Sequence, residues 1–122
     1  QFVLMSLNEM QGGEIFIPRL PSVKISELAK VIAPNASISY TGVRAGEKIH
    51  EELIAEEESL YSKKFKKHYI ILPPKPYWSK IQFKGSQTTT QKPFCYRSNN
   101  NTIWLSLQQI KNEISKFELH LD

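Results

Sequence analysis

Short stretches with helical apolar spacing alternate along this chain with short stretches of strand character, and glycine or proline stops several of them. Val3, Leu7 and Met10 fall at i, i+4 and i+7, which predicts a first helix ended by Gly12-Gly13. Glu14 to Pro18 reads as a strand too short to show which face is buried. Ser22 or Ser26 is placed to cap a helix with Ile25, Leu28 and Ile32 on one side, closed by Ala33-Pro34. Ser37 to Thr41 alternates as a strand, Gly42 to Gly46 is a loop, and Glu47 to Ile54 reads as a short helix with Ile49 and Leu53 aligned. Tyr69 to Leu72 is a strand closed by Pro73-Pro74-Lys75-Pro76, and the polar, Thr-rich stretch from Gly85 to Pro93 reads as a loop. Ser106 to Gln109 forms a capping box with Leu105 and Ile110 as its staple. Leu107, Ile110, Ile114 and Phe117 then line one face of a last helix ending near Glu118. Helices interleaved with strands indicate an α/β chain, or an α+β piece of a larger one.

Composition narrows the class. The 122 residues are 40% hydrophobic and 11% aromatic, too apolar for a disordered tail. No apolar run approaches the roughly 20 residues of a membrane-spanning helix. Cys95 is the only cysteine, so an internal disulfide is impossible and a reducing compartment is expected. The formal charge of +4 conceals an uneven distribution. Residues 1–60 carry 5 basic and 9 acidic side chains, residues 61–97 carry 9 basic and none acidic, and residues 98–122 carry 2 and 3. That basic block is interleaved with Phe65, Tyr69, Tyr77, Trp78, Phe83, Phe94 and Tyr96, which would suit stacking onto single-stranded nucleic acid. Set against this, Tyr69 to Leu72 has the character of a core strand, and lysine-rich loops are commonly solvated surface.

Several catalytic patterns fail on their spacing. Gly42 to Lys48 is glycine-rich and basic, but only three residues separate its glycines and Glu47 stands where a phosphate-binding loop has its lysine. His50-Glu51-Glu52-Leu53-Ile54 begins like a zinc-protease helix, yet Ile54 replaces the second histidine. His50, His68 and His120 lack ligand spacing, so no metal site is expected. Within the Gly42 to Gly46 loop, Arg44 offers a planar guanidinium fork suited to a diphosphate. Glu47 cannot grip phosphate, but its carboxylate can accept hydrogen bonds from sugar or ribose hydroxyls, or orient Arg44. A surface ion pair near a helix start, contributing at most about 1 kcal/mol, is the plainer reading of the same two residues.

Gly13-Glu14-Ile15-Phe16-Ile17-Pro18-Arg19-Leu20-Pro21-Ser22, followed by Gly42-Val43-Arg44-Ala45-Gly46-Glu47-Lys48-Ile49-His50-Glu51, forms a specific combination. It resembles the C-terminal part of bacterial polysaccharide-biosynthesis UDP-N-acetylglucosamine 4,6-dehydratases, some of them also 5-epimerases, of the extended short-chain dehydrogenase/reductase superfamily. The resemblance continues through Tyr69 to Pro73 and Trp78, and through Phe94, Tyr96, Ser98, Asn101, Trp104 and Leu105. It is weak over Glu57 to Lys67 and Ser79 to Lys92. Ala45 stands where that family usually has proline.

The resemblance implies the substrate-binding C-terminal lobe of an extended short-chain dehydrogenase/reductase. Residues 1–60 would be the lobe and residues 61–122 a C-terminal extension, with the Rossmann domain absent from this chain. The family's Arg-Pro-Gly-Glu motif binds the nucleotide-sugar, so Arg44 and Glu47 are the substrate-binding residues it assigns here. Its NADP fingerprint and Tyr-x-x-x-Lys pair have no counterpart; Tyr61, Tyr69 and Tyr77 are followed four positions on by Phe65, Pro73 and Ile81. No catalytic residue is therefore expected in this chain, which alone should be inert, with NADP bound elsewhere in the full-length enzyme. Gln1 opens directly on the first helix with no initiator Met, as in a chain cut from something longer. The expected partners are a UDP-sugar, the missing Rossmann domain and further copies in a homo-oligomer. The expected location is the cytoplasm, although some members of the family carry N-terminal membrane spans. The competing reading, from a different class, is a basic, aromatic-rich nucleic-acid-binding module.

Overall fold

The structure is a computed structural model that describes residues 1–74, 83, 88, 89 and 92–118. It divides into two compact units, one from Gln1–Arg19 with Glu52–Tyr96, the other from Leu20–Glu51 with Arg97–Asp122. Both units draw residues from either side of position 60.

The first unit is built on a four-stranded antiparallel sheet. Its strands are β1 (Ile15–Pro18), β3 (Ser62–Lys64), β4 (His68–Ile71) and β5 (Thr88–Thr89), in the order β1-β4-β3-β5. All four residues of β4 are buried, so this inner strand reads as a continuous run rather than an alternating one. Its pairing with β1 aligns Ile15 with Ile71, Phe16 with Ile70, Ile17 with Tyr69 and Pro18 with His68. Because neighbouring residues on a strand point to opposite faces, this register sorts the core into two clusters. Ile17, Tyr69 and Ile71 pack with Ile54 on one side, with Phe94 and Tyr96 against them. Ile70, Phe65 and Phe83 pack on the other, joined by Phe16 and Leu72.

The helix α1 (Phe2–Glu9) precedes β1 and has no buried residue; Val3 and Leu7 are exposed. Its stop is built as the glycines require: Gly12 and Gly13 have φ of 121° and 86°, where a side chain would be strained. The buried Glu14 carboxylate accepts hydrogen bonds from the backbone N–H groups of Gln11 and Gly12 there. A Cβ on Gly13 would meet Pro73 at 3.4 Å.

The second unit holds α2 (Ile25–Ile32) packed against α4 (Leu107–Glu118). Ser106 and Gln109 make the expected capping box: the Ser106 backbone N–H donates to Gln109 Oε1 at 2.9 Å, and the Gln109 N–H donates to Ser106 Oγ at 3.4 Å. Ile110 is buried and Ile114 half-buried, whereas Leu107 is exposed. Ser22 stitches the two chain segments together. Its N–H donates to Ile103 O at 2.8 Å, its O accepts from the Leu105 N–H at 3.0 Å, and its Oγ donates to Ser98 O at 2.8 Å.

Four local expectations are corrected. Glu47 to Ile54 is not a helix; Glu52–Ile54 is the strand β2, paired with β6 (Tyr96–Arg97). The aligned Ile49 and Leu53 are both exposed, while Ile54 is fully buried in the core, and that burial outweighs the helical spacing. Ser37 to Thr41 has no strand partner and runs exposed and irregular, since an unpaired ladder leaves its backbone to water. Neither Ser22 nor Ser26 caps α2; its N-cap is Lys24, and the Ser22 hydroxyl is committed to Ser98. The stretch from Gly85 to Pro93 contributes β5; the short helix α3 (Glu56–Ser59) and β3 lie between β2 and β4 in the chain. Tyr77 and Trp78 lie outside the described residues.

His68, the first residue of β4, lies against the aromatic cluster of Phe65 and Phe16. Its ring stacks on Phe65 at 4.7 Å and 8° and lies near Phe16 and Phe2, and among the described residues its Nε2 has no hydrogen-bond partner. Burial lowers its pKa below the usual histidine value, and Glu9 pulls the other way. The neutral ring is thus the form that suits the fold. On acidification below about pH 6.5, the unfolded chain takes up a proton that the folded one resists. Stability should therefore be full above that pH and fall from there down through the lowered folded pKa. Urea unfolding across pH 7.5 to 5 should show the loss, and His68→Gln should flatten it.

Burial also separates two neighbouring residues of β2. Ile54→Ala should destabilise by about 2–5 kcal/mol, and Leu53→Ala by clearly less. Equal losses in urea titrations would return this segment to the helical reading.

Candidate binding turn at Arg44 to Glu47

Between Ala33 and Glu51 the second unit has no regular strand or helix; it has a turn at Ala33 to Ala36 and another at Arg44 to Glu47. The Glu47 N–H donates to Arg44 O at 3.1 Å, closing a four-residue β-turn. Gly46, at its third position, has φ of 82°, and among the described residues none other than glycine has positive φ. Positive φ at the third position alone is the geometry of a type II turn, which requires glycine there and favours proline at the second position. That second position is Ala45. Gly42 supplies another left-handed residue, also at φ 82°, just upstream.

The turn is closed a second time by a side chain. Glu47 Oε2 accepts the Arg44 backbone N–H at 3.1 Å, so residues 44 and 47 exchange hydrogen bonds in both directions. Arg44 and Glu47 are both exposed. Among the described residues the Arg44 guanidinium has no hydrogen-bond or ion-pair partner, which leaves its fork open to an anion. The structure thus brings the two sequence-predicted residues together through the backbone, not as the ion pair of the plainer reading. Downstream, Ser98 anchors the end of the loop: its N–H donates to Glu51 O at 2.8 Å, and its Oγ lies 3.4 Å from His50 Nδ1.

Sequence reasoning offered Ser22 only as a helix cap and gave Asn101 no structural role, yet both support this unit. Asn101 Nδ2 donates to Leu20 O at 2.6 Å and to Ser22 Oγ at 3.1 Å, and its backbone O accepts from Trp104 Nε1 at 2.8 Å. Small polar residues carry no periodic signal, so only the fold reveals such a junction.

The basic block is dispersed in a different way. Lys64, Lys66 and Lys67 are exposed around the β3–β4 hairpin, but Phe65, Tyr69 and Phe83 are buried in the two core clusters. Phe94 and Tyr96 are half-buried against the Tyr69 ring, at 5.6 and 5.5 Å. Those aromatics are packed, not presented for base stacking. Arg19 is likewise engaged: it lies over the Tyr69 ring at 6.0 Å and donates to Lys66 O at 3.0 Å. Burial raises the Tyr69 pKa, with Arg19 opposing it.

A cavity of about 370 Å³ in the first unit is lined mainly by apolar groups, among them Ile15, Tyr61, Ile71 and Pro73, with Glu57 and Glu58 also on its wall. It contains neither sequence-predicted site residue. Among the described residues no three His, Cys, Asp or Glu side chains gather where they could hold a metal, and no helix is long and apolar enough to cross a membrane.

Comparison with known proteins places the chain. It is 39% identical over 97% of its length to a UDP-N-acetylglucosamine 4,6-dehydratase (inverting) of Campylobacter jejuni, covering 37% of that protein. It is 36% identical over 60% of its length to the uncharacterized membrane protein MJ1061 of Methanocaldococcus jannaschii, covering 25% of it. Among solved structures, Pen from Bacillus thuringiensis superposes with a TM-score of 0.77 at 27% identity, over 95% of this chain and 35% of that one. The chain thus spans little more than a third of the curated dehydratase it matches. The sequence profile of the polysaccharide biosynthesis proteins matches residues 1–73, more than half of the chain, and the chain belongs to that family.

Proposed function

We propose that this chain is the nucleotide-sugar-binding portion of an NADP-dependent UDP-N-acetylglucosamine 4,6-dehydratase, a lyase of surface-polysaccharide biosynthesis with the extended short-chain dehydrogenase/reductase fold. The observation that carries the reading is the doubly closed turn, which holds beside Glu47 an exposed Arg44 guanidinium with no hydrogen-bond or ion-pair partner among the described residues. The identity to the Campylobacter jejuni dehydratase, running through nearly the whole chain, supports it. Arg44 would grip the diphosphate through charge-assisted hydrogen bonds, with Glu47 serving sugar or ribose hydroxyls or orienting Arg44.

Bound NADP would supply transient oxidation at C4 of the sugar. Gly12-Gly13 does not fit it: among the described residues this pair lies between a helix and the following strand, the reverse of the strand–turn–helix order that cradles a dinucleotide. Accordingly no step is assigned to these residues beyond binding and orienting substrate. Residues 1–60 are proposed as the substrate lobe and 61–122 as its extension, inactive without a Rossmann domain. The whole enzyme is proposed to be a cytoplasmic-facing homo-oligomer.

Arg44→Ala in the full-length enzyme should weaken UDP-N-acetylglucosamine binding by about 1–3 kcal/mol, the range for a hydrogen bond to a charged group. Calorimetric titration decides it, and unchanged affinity would remove Arg44 from the site. Ala45→Pro should stabilise the protein by about 0.4–1 kcal/mol in urea titrations, because it presets φ at the turn's second position. A loss of stability would show that the turn is not of type II.

A further inference from the structure

We propose that the cleft lined by Lys24, Glu27, Trp104, Leu105 and Ser106 is a carbohydrate site that takes the ring of a neutral pyranose glycoside on the Trp104 indole. The cleft measures about 510 Å³ and is formed in the second unit by the start of α2 and the residues leading into α4. It contains neither Arg44 nor Glu47, so the proposal does not depend on the role given to their turn. Trp104 is 43% exposed, yet it is held at both ends. Its backbone runs beside Ser22, where the Ser22 N–H donates to Ile103 O at 2.8 Å and the Leu105 N–H donates to Ser22 O at 3.0 Å. Its Nε1–H donates to Asn101 O at 2.8 Å. The one polar group of the indole is therefore spent on the protein itself, and what the ring offers a ligand is apolar. A ring fixed in this way loses little freedom when a ligand stacks on it.

The charges beside the indole select the ligand. Lys24 Nζ and Glu27 Oε1 stand 3.8 Å apart, near enough to attract but too far for a hydrogen bond. The Ser106 hydroxyl is already committed, donating to Gln109 Oε1 at 2.9 Å. The side-chain polar groups left to a ligand are thus an ammonium that donates and a carboxylate that accepts. A hydroxyl serves both at once, accepting from Lys24 and donating to Glu27. A charged ligand gains nothing here, because attraction to one partner is offset by repulsion from the other. A pyranose glycoside joins such hydroxyls to a face of ring C–H groups, the kind of surface an indole covers.

The experiment is saturation-transfer NMR on the full-length enzyme with methyl β-glucoside as probe, recorded in excess UDP to fill the nucleotide-sugar site. Transfer is expected chiefly to the axial C–H protons of one ring face. Methyl β-glucuronide, an anion, and methyl β-glucosaminide, a cation, should bind more weakly than the glucoside. Trp104→Ala should abolish the transfer, whereas Arg44→Ala should leave it unchanged. Glu27→Gln should weaken the glucoside about 3–10-fold, the equivalent of one hydrogen bond, and make the glucuronide the better ligand. This second variant changes a half-exposed helix position, so it decides the matter even where Trp104→Ala fails to fold. No transfer in the parent protein, transfer abolished by UDP, or equal glucoside affinity in Glu27→Gln would each overturn the site. Loss of UDP-N-acetylglucosamine binding, by contrast, bears on the Arg44 turn and not on this cleft.

Discussion

The first unit depends on the complete burial of β4. A strand with all four residues enclosed must have both faces covered, and the chain supplies a cover for each from its own sequence. Ile54, Phe94 and Tyr96 close one face, and Phe65, Phe83 and Phe16 close the other. Burying a side chain of this size stabilises by roughly 1.5–3 kcal/mol, so the two clusters are the main favourable term for this unit. The same enclosure among aromatic rings is what lowers the pKa of His68, the first residue of β4.

The second unit follows a different logic. Apart from Ile110 it has little buried apolar surface among its described residues, and its segments meet through small polar side chains. Ser22 and Asn101 satisfy backbone groups that would otherwise be lost on leaving water, and each such group left unmade costs about 1–3 kcal/mol. The turn that presents Arg44 belongs to this unit. A polar, locally bracketed scaffold keeps that guanidinium solvated, as the proposed anion-binding role requires.

Charge proved a weaker guide than position. The block of nine basic residues reads as a candidate binding surface, yet Phe65, Tyr69 and Phe83 within it are buried in the core and Lys64, Lys66 and Lys67 are solvated cover. The cation with an open fork lies instead in the net-acidic first half. Arg44 stands out because two glycines with positive φ flank it and a carboxylate three residues on fastens its backbone.

The sequence by itself determined the features set by neighbours in the chain. These are the start of α4 from its capping box, the stop of α1 at two glycines, the strands at Ile15 to Pro18 and at Tyr69, and the Gly42 to Gly46 loop with Arg44 in it. Each follows from torsional freedom, local hydrogen bonding or periodicity within a few residues. Tertiary structure alone decided what depends on distant partners. Glu52 to Ile54 became a strand because Tyr96 and Arg97 pair with it and a core receives Ile54, although the spacing of Ile49 and Leu53 fits a helix equally well. Ser37 to Thr41 alternates as well as many strands do, but no neighbour offers it a ladder. The link between Glu47 and the Arg44 backbone was likewise beyond reach of pattern alone. Residue types three apart reveal that they can meet, and only the left-handed φ of Gly46 turns the chain so that they do.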